Sequence, residues 1–543
     1  MAKQTKAKAS GAEVAREGAV LEIFDSLANE GRVKEARGLV SQLLARNAEL
    51  EKRLAGARGF KNSEGLSSNQ LLLLIDGLPA NSAQSEADDK LRVASAIDAS
   101  RFDEERQTPD PKPAPPLRKP APPHLPRVDN EIKVPEAERP CPKCGQERSC
   151  IGHDESETIE LVPAKVIVRR DLREKLACKA CEGELVRAPP GNKVVAGGKL
   201  GTTLVSQLIV DKYWDGLPLH RQKQRFAQMG LELAVSTLAD QVTWATDLLR
   251  PLWRAVMAEV LSAPVMHLDG TSLPVLDDRA AKGIKLGALW GYVGRGEATT
   301  ALYLYASTGK KDGQLPGELG PADVLELRKG YVVADASNLF DSSFSRDGII
   351  ECGCNMHARR YFTKALDAGD ARAALPLAAF KSIYEWDAST RDSSPADRLT
   401  IRQQHCHRIY DELAAWCRAH QPNEPPSSPL GKAIGYLLNH ELALRRFLTD
   451  GIVPIDNGIV ERLHVRAALT RKNFLFAGSD TGGERAAIAY SILGCCKLAD
   501  VDPIAYLADV LPRLSRRVRV IDLPALLPAR WKAARAATAA APA

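Results

Sequence analysis

The stretch TPDPKPAPPLRKPAPPHLPR, residues 108–127, limits the fold more than any other part of the chain. Proline has a fixed φ and no backbone N–H, so a run this rich in it can neither continue a helix nor lie inside a sheet. It reads as an extended, basic linker with independent modules on either side. The length of 543 residues points the same way, because it exceeds what one core holds. With 44% hydrophobic and 26% charged residues the chain reads as soluble and globular, and no apolar run approaches the roughly 18 residues of a membrane span. Its first residues, MAKQTKAKASGAEVAREG, lack the apolar core and cleavage site of a secretory signal, so a cytoplasmic location is expected.

Net charge is +6, from 74 bases and 68 acids, which alone says little about partners. Its distribution says more. Beyond Leu511, Arg513, Arg516, Arg517, Arg519, Arg530, Lys532 and Arg535 face Asp522 alone, a tail that attracts phosphate or is simply solvated. Near the other end, residues 14–56 have a helical pattern in which Ala36, Val40, Leu43, Asn47, Leu50 and Leu54 form a heptad seam. It reads either as a dimerising coiled coil, with Asn47 fixing register, or as a plain amphipathic helix. A homo-oligomer is expected.

Past the linker come CPKCG (Cys141, Cys144) and CKACEG (Cys178, Cys181), joined by a stretch containing the alternating TIELVPAKVIVRR. Four thiolates close a tetrahedral zinc site, and strands between two knuckles make a zinc ribbon. Cys150 and His153 are spare candidates for the shell. A zinc held by four cysteines has no open position for substrate, so one structural Zn2+ is expected. The remainder of the eleven cysteines read as buried thiols.

Residues 203–261 are helical in pattern. LPLHRQKQRFAQMGLELAVSTLADQVTWATDLL reads as a helix, a turn at Gly230, and a second helix capped at Ser236 or Thr237. The pair is a helix-turn-helix candidate whose first helix carries Arg221, Lys223 and Arg225 for a phosphate backbone, or an ordinary helical hairpin. After Pro264 the texture turns to strands: VMHLDGTSLPVL, KLGALWGYVG, TTALYLYAS, GYVVADAS and GIIECGCNMHARRYF. Three β-rich runs, two more after a helical segment, then a helix suit an α/β mixed sheet of the ribonuclease-H kind. The expected divisions are a helical N-terminal region over 1–100, the linker over 101–138, a zinc ribbon over 139–195, and a helical DNA-binding region over 196–262. A catalytic domain follows over 263–480 with a helical insertion at about 366–450, then C-terminal helices and the basic tail over 481–543.

Asp269 (HLDGTS) and Asp335 (VADASN) stand where strands are expected to end, beside small residues that leave room for an ion. Glu461 follows the insertion, on a helix that Asp456 or Asn457 would cap. Acid, acid, then glutamate in this order brings three carboxylates to one edge of such a sheet. Such a set suits hard cations, and two Mg2+ about 4 Å apart clamp the attacking and leaving oxygens of a phosphoryl transfer. The bases after Glu461 (Arg462, Arg466, Arg471 and Lys472) would then hold DNA phosphates. His357 reads as a proton shuttle or as a partner packed beneath the sheet, the second being preferred. Glu484 competes for the place of the third acid but begins a later helix with a core pattern.

The quoted zinc knuckles, with DKYWDGLPLHRQ, STLADQV, VMHLDGTSLPVL, CNMHARRYF and ERLHVRAALTRKNFLFAGSDTGGERAAIAYSILGCCKLADVDPIAYLADVLPRL, give a more specific reading. From Cys141 to Leu514 the chain resembles the DDE transposases of the IS-sixty-six family of insertion sequences. The resemblance implies a ribonuclease-H-like catalytic domain and cutting and joining of double-stranded DNA at the ends of a mobile element. It puts the family's acids at Asp269, Asp335 and Glu461, and suggests two small accessory proteins encoded alongside. The chain departs from the pattern at Gly270, where many relatives carry Glu. It does so again at Val465 and Arg466, where Arg and Pro are usual, and at Asn355, where Trp is common. The rival readings are a catalytically silent DNA-binding regulator and a structure-specific nuclease on the same fold.

Overall fold

A computed structural model describes residues 198–308, 319–335 and 340–540, with residues 87, 88, 90, 91, 143, 146, 165–176, 186 and 187. The heptad seam, the proline-rich linker and Cys141, Cys144, Cys178 and Cys181 lie outside the described residues. The chain divides into two units, one of them formed by residues 104–191 and 223–234. In that smaller unit Lys175–Leu176 pairs antiparallel with Val186–Arg187. Residues 165–170, the described part of the alternating stretch expected as strand, form no ladder.

The larger unit is built on a five-stranded sheet: β1 (Val265–Leu276), β2 (Ile284–Arg295), β3 (Thr299–Ala306), β4 (Gly330–Ala334) and β5 (Ile349–Gly353). The order is β3-β2-β1-β4-β5, with β1 to β3 an antiparallel meander and β4 and β5 parallel to β1. Strand β1 runs through Asp269 to Leu276, so that residue is inside a strand and not at its end as expected. What ends there is the pairing with β4, whose last partners are Leu268 and Ala334. Asp269 and Asp335 are each the next residue, and register alone sets them side by side on one face of the sheet.

Three helices precede β1: α1 (Thr202–Tyr213), α2 (Leu219–Gln228) and α3 (Val235–Ser262). Gly230, with φ +80°, makes the turn after α2, where a side chain would be strained. Helix α3 begins at Val235, ahead of the expected caps Ser236 and Thr237. It spans 28 residues, with Leu238, Val242, Leu249, Leu252, Val256 and Val260 buried down one side. That makes it a core element, longer than the second helix of an expected helix-turn-helix. It lies beside the edge strand β3, where Trp253 Nε1 donates to Tyr303 O at 3.1 Å. A later helix completes this cover: Cys495 Sγ and Ser491 Oγ accept from the backbone N–H groups of Ala301 and Tyr303 at 3.3 and 2.7 Å. The free edge of the sheet is blocked there by side chains.

Two helices matter most for the acids: α4 (Asn355–Asp367) after β5, and α5 (Gly458–Phe474), which carries Glu461. Between them residues 371–448 are helices and short turns packed around Phe362, Phe380, Tyr410, Trp416 and Phe447, all fully or almost fully buried. Arg402 is buried in this block, where Asp387 accepts at 2.6 Å and the carbonyls of Phe447 and Val453 accept at 2.9 and 2.8 Å. Asn355, in the place where tryptophan is common, ties the block's two ends together. Its Nδ2 donates to Leu444 O at 2.9 Å and Ile455 O at 3.1 Å, and Tyr410 Oη donates to its Oδ1 at 3.3 Å. Part of the N-terminal region packs on the same block: Leu91 is fully buried in its core, and Asp88 Oδ1 accepts from Trp416 Nε1 at 2.6 Å.

Candidate active site

Helix α5 lies along β1 and is stapled to it at both ends. Asn457 holds the N-cap position but makes no side-chain cap; Asp456 Oδ1 takes the Gly458 N–H instead, at 2.8 Å. Fully buried, the Asn457 amide reaches β1, donating to Leu268 O at 2.8 Å and meeting His267 Nδ1 at 3.0 Å. At the far end Arg471 donates to Thr271 Oγ1 at 3.0 Å and Ser272 Oγ at 3.2 Å. Glu461 follows Asn457 by four residues, so it sits one turn along the same face, over the two aspartates.

The three acids lie close enough for the Glu461 and Asp335 charges to act on Asp269, and two histidines stand among them. His357 Nδ1 is 3.6 Å from Glu461 Oε1 and its Nε2 3.6 Å from Asp335 Oδ2. It therefore stands between two acids at the sheet edge, not beneath the sheet as preferred from sequence. His464 Nε2 is 3.6 Å from Asp269 Oδ2. Asp269 also accepts the Gly270 N–H at 2.8 Å, Tyr436 Oη donates to Asp335 Oδ1 at 3.0 Å, and an Arg360 nitrogen lies 3.4 Å from Glu461 Oε2. Burial, with the Glu461 and Asp335 charges adding to it, pushes the Asp269 carboxyl up to about 6. Burial pushes the His464 imidazole down to about 4, so it is neutral at pH 7.

The donor set fits a divalent cation. Glu461 Oε1 is buried without a hydrogen-bond partner, and so are both ring nitrogens of His464 and Nδ1 of His357. Carboxylate oxygens, one of them orphaned, are the donor type that a hard ion takes. The protein makes the room with glycine. Opposite Asp269, Gly291 would place a Cβ 2.7 Å from His464 Cε1, so only glycine there admits the imidazole. At Gly270 a Cβ would fall 2.6 Å from the Trp290 ring, which fills the space beside Asp269.

Sequence reasoning missed His464, Tyr436 and Arg360. Their spacing to the acids is set by register and by the inserted helices, and no local pattern marks them. The cations after Glu461 divide into two kinds. Arg462 and Lys472 are exposed, whereas Arg466 stacks on Trp214 at 5.3 Å and Arg471 is engaged by β1. In α2, Arg221 is exposed and Lys223 and Arg225 are half-buried. Glu484, the rival third acid, is apart from this cluster and lies 3.5 Å from Arg250. The described cysteines, Cys352, Cys354, Cys406, Cys417, Cys495 and Cys496, are all buried free thiols.

A mixed-sheet α/β domain with a carboxylate cluster suited to divalent cations is the class that fold and site define. Residues 197–485 match the DDE domain of the Transposase IS66 family, and residues 138–182, which include Cys141, Cys144, Cys178 and Cys181, match the zinc-finger binding domain of transposase IS66. The chain belongs to the IS66 family of transposases. It is similar to three proteins of Sinorhizobium fredii. It is 31% identical to Uncharacterized protein y4hP over 90% of this chain and 88% of that one. The figures are 33% for Uncharacterized protein y4jD, over 76% and 81%, and 28% for Uncharacterized protein y4qI, over 93% and 94%. Membership makes it a DNA-acting transposase with a divalent-metal DDE domain and a zinc finger. No helix among the described residues is long and apolar enough to cross a membrane.

Proposed function

We propose that this chain moves an insertion sequence by hydrolysing a phosphodiester at the element's ends, after which the freed 3'-hydroxyl attacks a phosphodiester of target DNA, forming a new P–O bond as the target strand's 3'-oxygen leaves, in one site formed by Asp269, Asp335 and Glu461. The observation that carries this reading is the meeting of those three carboxylates from β1, the end of β4 and α5. The strand order with β1 central and β4 and β5 parallel to it supports a ribonuclease-H-like fold with a helical insertion. Asp269, Asp335 and Glu461 would hold two Mg2+, which when bound supply charge neutralisation at the scissile phosphate and acidify water. His464 and Gly291 fix Asp269, and the Asn457 staple fixes the height of Glu461 above the sheet. No protein nucleophile is needed, since positioning and charge carry most of phosphoryl transfer.

Arg462 and Lys472 are the residues best placed for DNA phosphates; Arg466 and Arg471 serve DNA only if they leave their present partners. Arg221, Lys223 and Arg225 would add contacts from α2. One Zn2+ on Cys141, Cys144, Cys178 and Cys181 would stabilise the finger. The functional protein is expected to be a cytoplasmic homo-oligomer, aided by small accessory proteins.

The test is cleavage and joining of labelled DNA bearing the native element ends, with Mg2+ or Ca2+, by wild type and Glu461→Gln. Products that require Mg2+ and vanish in the variant are expected. End binding without products from either protein, accessory proteins included, would favour the silent DNA-binding regulator.

A further inference from the structure

Cys354 and His357 are not among the three acids, yet both touch their supports. Cys354 is the N-cap residue of α4, and a residue three further on in the first turn lies on the same side of the helix. The two side chains therefore address the same neighbours. Cys354 Sγ accepts the backbone N–H of Asn457, the residue that begins α5, at 3.2 Å. His357 spans Asp335 and Glu461 at 3.6 Å from each, and Arg360 approaches its Nε2 at 3.4 Å.

The sulfur, an imidazole nitrogen and a Glu461 oxygen lie within 4.8 Å of one another, a spacing that a soft-metal site would share. Cys354 is fully buried, and the Asn457 N–H that its sulfur accepts gives it a structural use without a metal; zinc content tells the two apart.

We propose that Cys354-x-x-His357 is a positioning clamp across the carboxylate site. The thiol fixes the start of the Glu461 helix, and the imidazole holds Asp335 and Glu461 at a set separation before a cation arrives. This rests on the carboxylate reading above. Both residues act through the acids and neither is catalytic. A flat, rigid ring 3.6 Å from each acid acts as a spacer that keeps Asp335 and Glu461 apart. Partners that orient metal ligands set affinity by about 10- to 100-fold when they are removed.

The deciding measurement is Mn2+ binding to the full chain by titration calorimetry, with zinc content by mass spectrometry. His357→Ala should weaken Mn2+ binding about ten-fold, and His357→Gln, which keeps a polar atom at similar reach, should recover part of the loss. Cys354→Ala should weaken binding, whereas Cys354→Ser, whose Oγ still accepts the Asn457 N–H, should hold close to wild type. Asp269→Asn separates the two readings. If it leaves the Mn2+ isotherm unchanged, the carboxylate site itself falls. If it abolishes binding while His357→Ala and Cys354→Ala do not alter it, the clamp alone is overturned. Loss of one zinc per chain in Cys354→Ala would also overturn the clamp and assign the pair to a zinc site. Should His357→Ala not fold, the His357→Gln and Cys354 pair of variants still decide.

Discussion

Among the described acids Asp269 is the one whose surroundings most oppose its charge, and the sign of that opposition can be tested. Without metal, the folded protein keeps this proton up to about pH 6 while the unfolded chain loses it near 3.8. Stability therefore falls as pH rises through that window, by about 3 kcal/mol if the whole difference is expressed. Asp269→Asn should melt higher than wild type at pH 7 in a chelator, and Mg2+ should stabilise only the wild type; thermal unfolding at pH 4.5 and 7 checks both. His267 pulls the other way. Burial holds its imidazole down to about 3, so stability drains as pH falls below 6.5, where the unfolded chain takes up the proton. A second test at this scale is Gly291→Ala. Its methyl would strike His464, and a loss of about 1–3 kcal/mol in urea unfolding is expected, together with a fall in strand transfer, although no polar atom has been removed. That the three acids come near one another was legible in the sequence from residue type and order. His464 was not, since its reason to be there is a glycine on another strand.

At the scale of elements, the strands and the helix carrying Glu461 were read from pattern, but the joins between them were not. Asp269 was expected at a strand end because glycine follows it. The strand continues because β-formers resume at once, and the boundary that matters belongs to a ladder with one neighbour. Asp456 or Asn457 was expected to cap the Glu461 helix, and Asp456 takes its Gly458 N–H while Asn457 does not cap. It serves β1 instead, because a buried amide gains more from two fixed partners on a strand than from one N–H that Asp456 already flanks. Asn457→Ala removes both bonds and leaves His267 Nδ1 and Leu268 O without this partner. A loss of about 2–4 kcal/mol in stability is expected from two such buried groups, read as a lower urea midpoint, with Mg2+-dependent cleavage falling further than stability alone explains.

For the whole molecule, the proline-rich stretch led to an expectation of independent modules on either side, and it lies outside the described residues; the helical texture after β5 corresponds to the block of helices over 371–448. What the sequence could not show is that residues from the N-terminal region pack on that block. Asp88→Ala should cost about 1–3 kcal/mol, because Trp416 Nε1 loses a buried acceptor. A lower melting temperature with unchanged Mn2+ affinity is the expected pair of results, and a changed affinity would mean that this contact reaches the acids. The knot around Asn355 has a wider meaning. Its backbone N–H and its amide both bond Ile455 O, at 3.2 and 3.1 Å, so the intervening chain leaves the domain and returns to it at one point. Such a block is pinned at its root yet not detached from the chemistry: Tyr436 within it reaches Asp335 at 3.0 Å, so a change in the block's length would be felt at the acids.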